Sequence, residues 1–234
     1  MRKRLLLLPL GIAVLILLTV VSLKWLDAPM TLAAPQLHSE ASEARADEWA
    51  TLVDKRLNLY AMRPGVYRSA LPDSEAQALL DELGVKTVAN FYQRSDAAWL
   101  TNPEVRQIHL PFHVDRVTDT TVIAALRSIR EAEQLGPVLL HCKHGQHRTG
   151  LIATMYRIIY QGWSKDEALA ELYYGGFGGV DRLSDVELYL AKVDIAGVKK
   201  ALGTGSCSTT PWAWCAIKAK FFSLLRFTDT RGMT

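Results

Sequence analysis

One cysteine, three histidines and one arginine stand close together in the stretch HCKHGQHRTG, residues 141–150. A cysteine thiolate is a strong nucleophile, and the arginine six positions later can donate two parallel hydrogen bonds to a phosphate. Cys142 and Arg148 therefore indicate a covalent reaction on an anionic substrate. Thr149 could donate its hydroxyl to the cysteine sulfur and stabilise the sulfur when a covalent intermediate breaks down.

Other interpretations of this stretch explain less of it. His141, His144 and His147 are too closely spaced on a tight loop for their imidazoles to converge on a metal ion, and no carboxylate is near in the sequence. A redox pair of the C-x-x-C type is absent. A structural buried cysteine would explain neither the glycine nor the arginine. We therefore expect no metal ion and no other cofactor.

The flanking sequence predicts that this stretch connects a strand to a helix. PVLLH (137–141) is a short apolar run, typical of a buried strand, and apolar residues recur at helical spacing from Leu151 up to Gly162. The start of such a helix presents unpaired N–H groups and the positive end of a dipole, which bind anions. Gly145 would let the backbone curl so that N–H groups point inward. These surroundings should keep Cys142 a thiolate near neutral pH.

Strand-like and helical segments alternate along the chain. Strands are predicted at 65–72, 85–91 and 106–112, and helices at 73–84, 121–136, 164–174 and 184–193. The alternation favours an α/β fold with a small, mostly parallel central sheet flanked by helices. In such sheets ligands bind at the carboxyl ends of the strands. The glycine-rich segment YYGGFGG (173–179) is expected to be a flexible turn between helices.

The N-terminus differs from the rest of the chain. Arg2, Lys3 and Arg4 precede an almost unbroken apolar run from Leu5 to Leu23. A helix of that length would span about 28 Å, close to the hydrocarbon thickness of a bilayer. We expect residues 1–26 to form a hydrophobic helix, either an uncleaved membrane anchor or a removed signal peptide. The positive cluster would stay in the cytoplasm, and the residues after the helix would be exported.

Composition limits the remaining possibilities. The chain has 234 residues, of which 49% are hydrophobic and 22% charged, as in one globular domain with tails. Its net charge of +3 is too small to argue for a nucleic-acid partner. We expect a linker at 27–50, a folded domain at 51–203 and a tail at 204–234.

The tail carries its own signals. TPWAWCAIKAKFFSLLRF (210–227) predicts an amphipathic helix whose first threonine and proline act as N-cap and first residue. Its tryptophans, phenylalanines and basic residues are compatible with a helix on an anionic membrane or with a helix packed on the domain. Cys207 and Cys215 could pair, which would leave Cys142 free in an oxidising compartment.

The stretch HCKHGQHRTG matches the loop H-C-x5-R-[ST]-G and so resembles the cysteine-dependent protein tyrosine and dual-specificity phosphatases. GVYRSALP (65–72) and GWSKDEALAEL (162–172) resemble further segments of small members, and with the expected export the chain looks most like bacterial periplasmic members. The resemblance implies the cysteine-dependent phosphatase fold. It also implies hydrolysis of phosphate monoesters through a phosphocysteine on Cys142, with Arg148 holding the phosphoryl oxygens.

The resemblance further implies an aspartic acid on a separate loop before the cysteine, which protonates the leaving oxygen. Asp115 and Asp119, in FHVDRVTDTT, lie at a suitable distance. Asp119 precedes a helical pattern and could be its N-cap, whereas Asp115 has no such role, so Asp115 is favoured. Arg68 and Ser69 could order the pocket by hydrogen bonds or be structural.

The loop also contains the expected substrate contacts, at Lys143, His144, Gly145, Gln146 and His147. Lys143 and the histidines make the pocket basic, as in family members that cleave inositol phosphates. The second loop lysine that is common in those members is absent, because Gln146 and His147 stand in its place. We expect a phosphorylated protein as the substrate, mainly on tyrosine with some activity on serine or threonine. An inositol phosphate or phosphoinositide is the alternative.

Overall fold

The computed structural model describes residues 46–218, and every statement about the fold concerns this part of the chain. Its sheet has six strands, namely β1 (Thr51–Asp54), β2 (Leu59–Arg63), β3 (Val66–Ser69), β4 (Thr87–Asn90), β5 (Arg106–His109) and β6 (Val138–His141). The spatial order is β1-β2-β3-β6-β4-β5. The flanking helices are α1 (Gln77–Glu82), α2 (Asp119–Ala132), α3 (His147–Tyr160), α4 (Lys165–Tyr174), α5 (Ser184–Lys192) and α6 (Ile195–Thr204).

The sheet is mixed rather than mostly parallel. β3, β6, β4 and β5 are parallel neighbours, but β1, β2 and β3 form antiparallel pairs. Strands β1 and β2 were not predicted, because β1 is a short, exposed edge strand and neither strand alternates strictly between apolar and polar residues. The α/β class and the parallel half were predicted correctly, and the mixed topology corrects the rest.

The parallel half of the sheet is buried on both faces. All four residues of β4 and all four residues of β6 are buried. Neighbouring positions face opposite sides, since Val88 packs with Leu80 of α1 and Ala89 packs in the cluster that contains α2 and α3. Helices therefore cover both faces, which is why these strands read as short apolar runs in the sequence.

The predicted helices are present with shifted ends. Helix α2, predicted at 121–136, starts at Asp119 because Thr118 is its N-cap, whose hydroxyl accepts a hydrogen bond from the Thr121 N–H at 3.3 Å. The expectation that Asp119 caps this helix is therefore wrong. Helix α6 was not predicted, because Gly197 and a second glycine lie inside it and glycine disfavours helices.

The N-terminal hydrophobic helix predicted at 1–26 lies outside the described residues. Between residues 46 and 218, no helix is both long enough and apolar enough to cross a bilayer. The predicted linker at 27–50 is described only over its last residues, and these contact the domain. Ala50 is buried, and its N–H donates to the Glu171 carboxylate at 2.7 Å. The chain thus joins the core just before β1.

The described part of the tail is closed by a disulfide between Cys207 and Cys215, which confirms the predicted pairing. Its helix starts at Trp214, after a turn, and therefore later than the sequence pattern predicted. Trp212 and Trp214 are 83% and 77% exposed, so these two side chains do not pack on the domain. The remainder of the predicted helix, from residue 219 onward, lies outside the described residues.

Candidate active site

Cys142 directly follows β6, at the carboxyl end of a central strand, as predicted. Its side chain is buried, and its thiol takes part in no disulfide. Residues 142–146, called the cysteine loop below, lead into α3, which begins at His147. No described side chain caps the N-terminus of α3, so its first N–H groups are available to an anion.

Arg148 lies in the first turn of α3 and reaches the segment that follows β4. Its Nη1 donates to the Gln93 side-chain oxygen at 2.5 Å and to the Phe91 carbonyl at 3.5 Å. The guanidinium carbon lies 5.1 Å from the centre of the Tyr92 ring. Because β4 is the neighbour of β6, Arg148 and Cys142 belong to the same edge of the sheet. Phosphate oxygens could replace the two oxygens that now bind Nη1.

Gly145 gives the cysteine loop its shape. Its φ of 72° lies in the left-handed region, and a Cβ there would approach the Ser69 carbonyl carbon to 2.6 Å. The end of β3 supports the same loop, because the Leu71 N–H donates to the Lys143 carbonyl at 3.2 Å. The Ser69 hydroxyl instead donates to the Ala70 carbonyl at 2.6 Å. The loop therefore needs glycine at position 145 to sit this close to β3.

Arg68 is a buried cation that contacts the cysteine loop. Its Nη2 donates to the Gly145 carbonyl at 2.8 Å, and its guanidinium stacks on the Phe177 ring, 3.6 Å from the ring centre. Burial lowers the pKa of Arg68 to about 10, although the charges of Glu171 and Cys142 act in the opposite direction. Arg68 is therefore still charged near neutral pH. The hydrogen bond shows that Arg68 holds the backbone of the cysteine loop, and a role of Arg68 in ordering the pocket for substrate stays a prediction.

The glycine-rich segment 173–179 packs against the cysteine loop, which the sequence analysis did not predict. It does connect α4 with α5, as expected. A Cβ on Gly179 would approach the Gln146 side-chain oxygen to 2.4 Å, so only glycine allows this contact. The His147 Nε2 lies 3.4 Å from the Gly179 carbonyl, to which it can donate. The segment therefore connects two helices and also packs on the cysteine loop, through Gln146, and on the start of α3, through His147.

Asn58 links the cysteine loop to the glycine-rich segment and was also missed. Its Nδ2 donates to the His144 carbonyl at 3.1 Å and to the Phe177 carbonyl at 3.0 Å. Its φ of 48° lies in the left-handed region, which asparagine tolerates better than most residues. An asparagine just before a strand reads as an ordinary turn residue, so nothing in the sequence marked it as part of the site.

A buried hydrogen-bond network holds the residue that precedes the nucleophile. The His141 Nε2 lies 3.0 Å from one oxygen of Asp96, and both side chains are buried. The other Asp96 oxygen accepts from Asn90 Nδ2 and from the Trp99 indole N–H, each at 2.9 Å. This arrangement fixes the His141 ring and with it the start of the cysteine loop. Asp96 was not predicted, because its role depends on contacts with distant residues.

Asp115, the favoured general acid, lies in a 3-10 turn within residues 110–118, the connection between β5 and α2. This connection is called the aspartate loop below. The Asp115 side chain is 58% exposed, and its ion-pair partner is the next residue in the chain. Gln93 joins the loop to the site, because its Nε2 donates to the Phe112 carbonyl at 3.0 Å while its oxygen accepts from Arg148. The acid role of Asp115 stays a prediction.

Asp119, the other candidate, has both carboxylate oxygens engaged. One accepts from the Tyr189 hydroxyl at 3.0 Å and the other from the Thr209 hydroxyl at 2.6 Å. Burial and the Asp119 charge raise the pKa of Tyr189, so its phenol stays protonated and can donate. Both oxygens of Asp119 are thus bound within the protein, and neither is free to face a leaving group. The geometry therefore favours Asp115 over Asp119 as the acid.

Thr149 does not form the hydrogen bond predicted for it. Its hydroxyl is fully buried and has no hydrogen-bond partner among residues 46–218, so no bond to the Cys142 sulfur is present. The hydroxyl therefore keeps its donor free on the first turn of α3. Its proposed role towards the sulfur remains a prediction.

The other predicted substrate contacts differ in exposure. The side chains of Lys143 and His144 are exposed, whereas Gln146 and His147 are half-buried against the glycine-rich segment. Partial desolvation and the charge of Lys143 lower the pKa of His144, which leaves this imidazole neutral near neutral pH. In the part of the chain that the structure describes, no group of three His, Cys, Asp or Glu side chains could hold a metal ion.

Comparison with protein families identifies the family of the chain. The family model described as Tyrosine phosphatase family matches residues 55–206, which include the cysteine loop, the aspartate loop and all helices from α1 to α6. The chain belongs to the tyrosine phosphatase family. The family resemblance inferred from the H-C-x5-R-[ST]-G loop is thereby confirmed.

Individual relatives of this tyrosine phosphatase agree with that assignment. The dual specificity protein phosphatase TpbA of Pseudomonas aeruginosa is 46% identical over 187 residues, which cover 80% of this chain and 86% of TpbA. A crystal structure of a cysteine-to-serine variant of TpbA in complex with pTyr has a TM-score of 0.66 at 48% identity and covers 69% of this chain and 99% of that one. The inositol diphosphatase DSP4 of Arabidopsis thaliana is 29% identical over 163 residues, 65% of this chain and 79% of DSP4.

Proposed function

We propose that this tyrosine phosphatase hydrolyses phosphotyrosine in proteins, and phosphoserine or phosphothreonine more slowly, through a phosphocysteine intermediate. The observation that carries the proposal is that the cysteine loop, which begins with Cys142, leads into the uncapped N-terminus of α3, where Arg148 lies in the first turn. Such a helix N-terminus, with an arginine in its first turn, binds a phosphate dianion next to a buried thiol.

The proposed reaction has two steps. The Cys142 thiolate attacks phosphorus, so that an S–P bond forms while the bond from phosphorus to the tyrosine oxygen breaks. Loop N–H groups and the Arg148 guanidinium stabilise the charge on the phosphoryl oxygens, and Asp115 gives its proton to the departing oxygen. A water molecule, deprotonated by the Asp115 carboxylate, then attacks the phosphocysteine and releases orthophosphate and the thiolate.

Two observations support a phosphorylated protein as the substrate. A TpbA variant has been crystallised with pTyr, and this chain covers most of that structure at 48% identity. The cysteine loop carries one lysine, Lys143, and Gln146 and His147 stand where members that cleave inositol phosphates commonly have a second lysine. The second candidate, an inositol phosphate, is supported by the more distant inositol diphosphatase relatives.

A side-by-side comparison of substrates tests this proposal. The kcat/KM for a phosphotyrosine peptide should exceed that for the matching phosphothreonine peptide and for a soluble inositol diphosphate by about tenfold or more, because differential contacts in one pocket readily supply such ratios. Phosphate release is the common measurement, and Cys142→Ser protein is the control for contaminating phosphatases. A higher kcat/KM for the inositol diphosphate would replace the protein substrate by the second candidate.

We further propose that residues 1–26 carry the domain across the inner membrane, so that it acts in the periplasm, anchored or released. The positive cluster followed by a long apolar run supports this. The disulfide between Cys207 and Cys215 also fits an oxidising compartment, since such bonds are rare in the cytosol.

Fractionation of a Gram-negative host that expresses the full chain tests the location. We expect the protein in the membrane fraction, with the intact mass of the uncleaved chain, and accessible to protease once the outer membrane is opened. A shorter, soluble periplasmic form would assign residues 1–26 to a signal peptide. Recovery of the intact chain in the cytoplasm, protected from protease by the inner membrane, would contradict export.

A further inference from the structure

The disulfide ring, residues 207–215, lies beyond residue 206, where the match to the tyrosine phosphatase family ends. It is nevertheless attached to the domain by specific contacts. The Thr209 hydroxyl donates to Asp119 at 2.6 Å, and the Arg127 guanidinium donates to the Ser206 carbonyl at 2.7 Å. Asp119 and Arg127 both belong to α2. This helix is therefore bound by Ser206, immediately before the ring, and by Thr209, inside the ring.

Asp119, which binds Thr209, directly follows the aspartate loop in the chain. It is the first residue of α2 and follows Asp115 by four positions. Its second oxygen accepts from Tyr189 of α5, so a residue of the ring and a residue of the domain hold one carboxylate. Because both donors bind the same group, the start of α2 is fixed relative to α5.

The aspartate loop is held along its length and at its two ends. Phe112 is buried and its carbonyl accepts from Gln93, and Val114 and Val117 pack on the core. At the β5 end, the Leu110 N–H donates to the Asn90 carbonyl at 2.9 Å. At the other end stands Asp119. The Asp115 side chain is largely exposed, and its ion pair with the adjacent Arg116 lies within the same loop. This pair cannot place the loop on the domain, whereas the hydrogen bonds of Asp119 tie the second end of the loop to the domain, four residues after Asp115.

We propose that Thr209, held in place by the disulfide ring, is a positioning residue for the general acid. Its hydrogen bond to Asp119 anchors the N-terminus of α2, and this anchor keeps Asp115 at the leaving oxygen. The proposal rests on the proposed function, because it assumes that Asp115 donates the proton. It assigns a catalytic purpose to a tail segment outside the family match.

The test uses the full chain, with the disulfide verified by mass spectrometry under non-reducing conditions. Thr209→Val keeps the shape of the side chain but removes the donor. It should lower kcat for a phosphotyrosine peptide about tenfold, a part of the roughly 10²–10⁴-fold that a general acid contributes, because a misplaced acid still acts in some encounters. Cleavage of an aryl phosphate with a strongly acidic phenol should change by less than about twofold, since that leaving group needs little protonation.

Three further variants distinguish a loss of Asp115 positioning from a non-specific loss of activity. Thr209→Ser keeps the hydroxyl and should restore the wild-type ratio of the two rates. The double variant Cys207→Ser/Cys215→Ser should resemble Thr209→Val, because the open ring no longer holds the threonine. Thr210→Val makes the same chemical change one residue further along, at a hydroxyl whose contact is to Ser208, and should leave both rates unchanged.

The outcome is decided on the Asp115→Asn background. If Thr209 acts through the acid, Thr209→Val should add no leaving-group effect once Asp115 is gone. Equal loss on both substrates, or an effect that persists without the acid, would overturn the positioning role while leaving Asp115 as the acid. If Asp115→Asn itself shows no leaving-group dependence, the acid assignment in the proposed function fails, and the positioning role fails with it.

Discussion

Cys142→Ser should lower turnover of p-nitrophenyl phosphate and of phosphotyrosine peptides by more than about 10³-fold while the fold is retained. The reason is the nucleophile, since a hydroxyl is almost fully protonated at neutral pH and attacks phosphorus far more slowly than a thiolate. The side chain is buried and makes no disulfide, so serine fits the same space. Phosphate release and circular dichroism measure activity and fold.

The intermediate gives an independent check on the same residue. Rapid acid quenching with ³²P-labelled substrate should trap a phosphoenzyme in the wild type, and the label should map to the peptide that contains Cys142. The serine variant should bind phosphotyrosine peptides without trapping the label. Label on another residue, or turnover near the wild-type rate in the serine variant, would mean that Cys142 is not the nucleophile.

Asp115→Asn should slow phosphotyrosine peptide turnover by about 10²–10⁴-fold, the usual contribution of a general acid. Tyrosine leaves as a poor phenolate unless its oxygen receives a proton. An aryl phosphate with a strongly acidic phenol should be slowed much less, as long as thiolate attack limits the rate. The fall in rate from acidic to neutral pH should also flatten, because the wild-type carboxyl acts only while it is protonated.

Asp185→Asn is the matched control for this prediction. Asp185 lines the same surface cleft as Asp115 but belongs to α5, so the substitution removes an equal charge nearby. It should show no dependence on the leaving group. Asp119→Asn should show a smaller dependence than Asp115→Asn, through its contact with Thr209. A full effect at Asp119 with none at Asp115 would mean that the acid lies four residues further along the chain.

Sequence reasoning succeeded where function depends on neighbours in the chain. Cys142, Gly145 and Arg148 lie within one strand–loop–helix unit, so their spacing alone predicted their placement. It failed where function depends on contacts between distant segments. The hydrogen bonds of Asn58 to His144 and Phe177 span 86 and 119 residues, and no local pattern records them.

The two aspartates show the same limit in a smaller segment. The family resemblance, which implies an aspartic acid on a loop before the cysteine, reduced the choice of acid to Asp115 and Asp119, and this pair was then ranked by expected capping. Thr118 is the real cap, so the premise about Asp119 is wrong. The preference for Asp115 stays a prediction, and another observation supports it. The hydroxyls of Tyr189 and Thr209 occupy the Asp119 carboxylate, and their sequence positions gave no indication of that.

The hydrogen bonds from Arg148 to Gln93 and Phe91 have a consequence for the release of orthophosphate at the end of each catalytic cycle. Orthophosphate that binds Nη1 of the guanidinium must displace these two internal acceptors, and a hydrogen bond to a charged group is worth about 1.5–3 kcal/mol. The protein thus competes with its own product for one nitrogen of the arginine. This competition weakens product inhibition, and it favours a substrate whose remaining contacts, outside the phosphate, compensate for the displaced bonds.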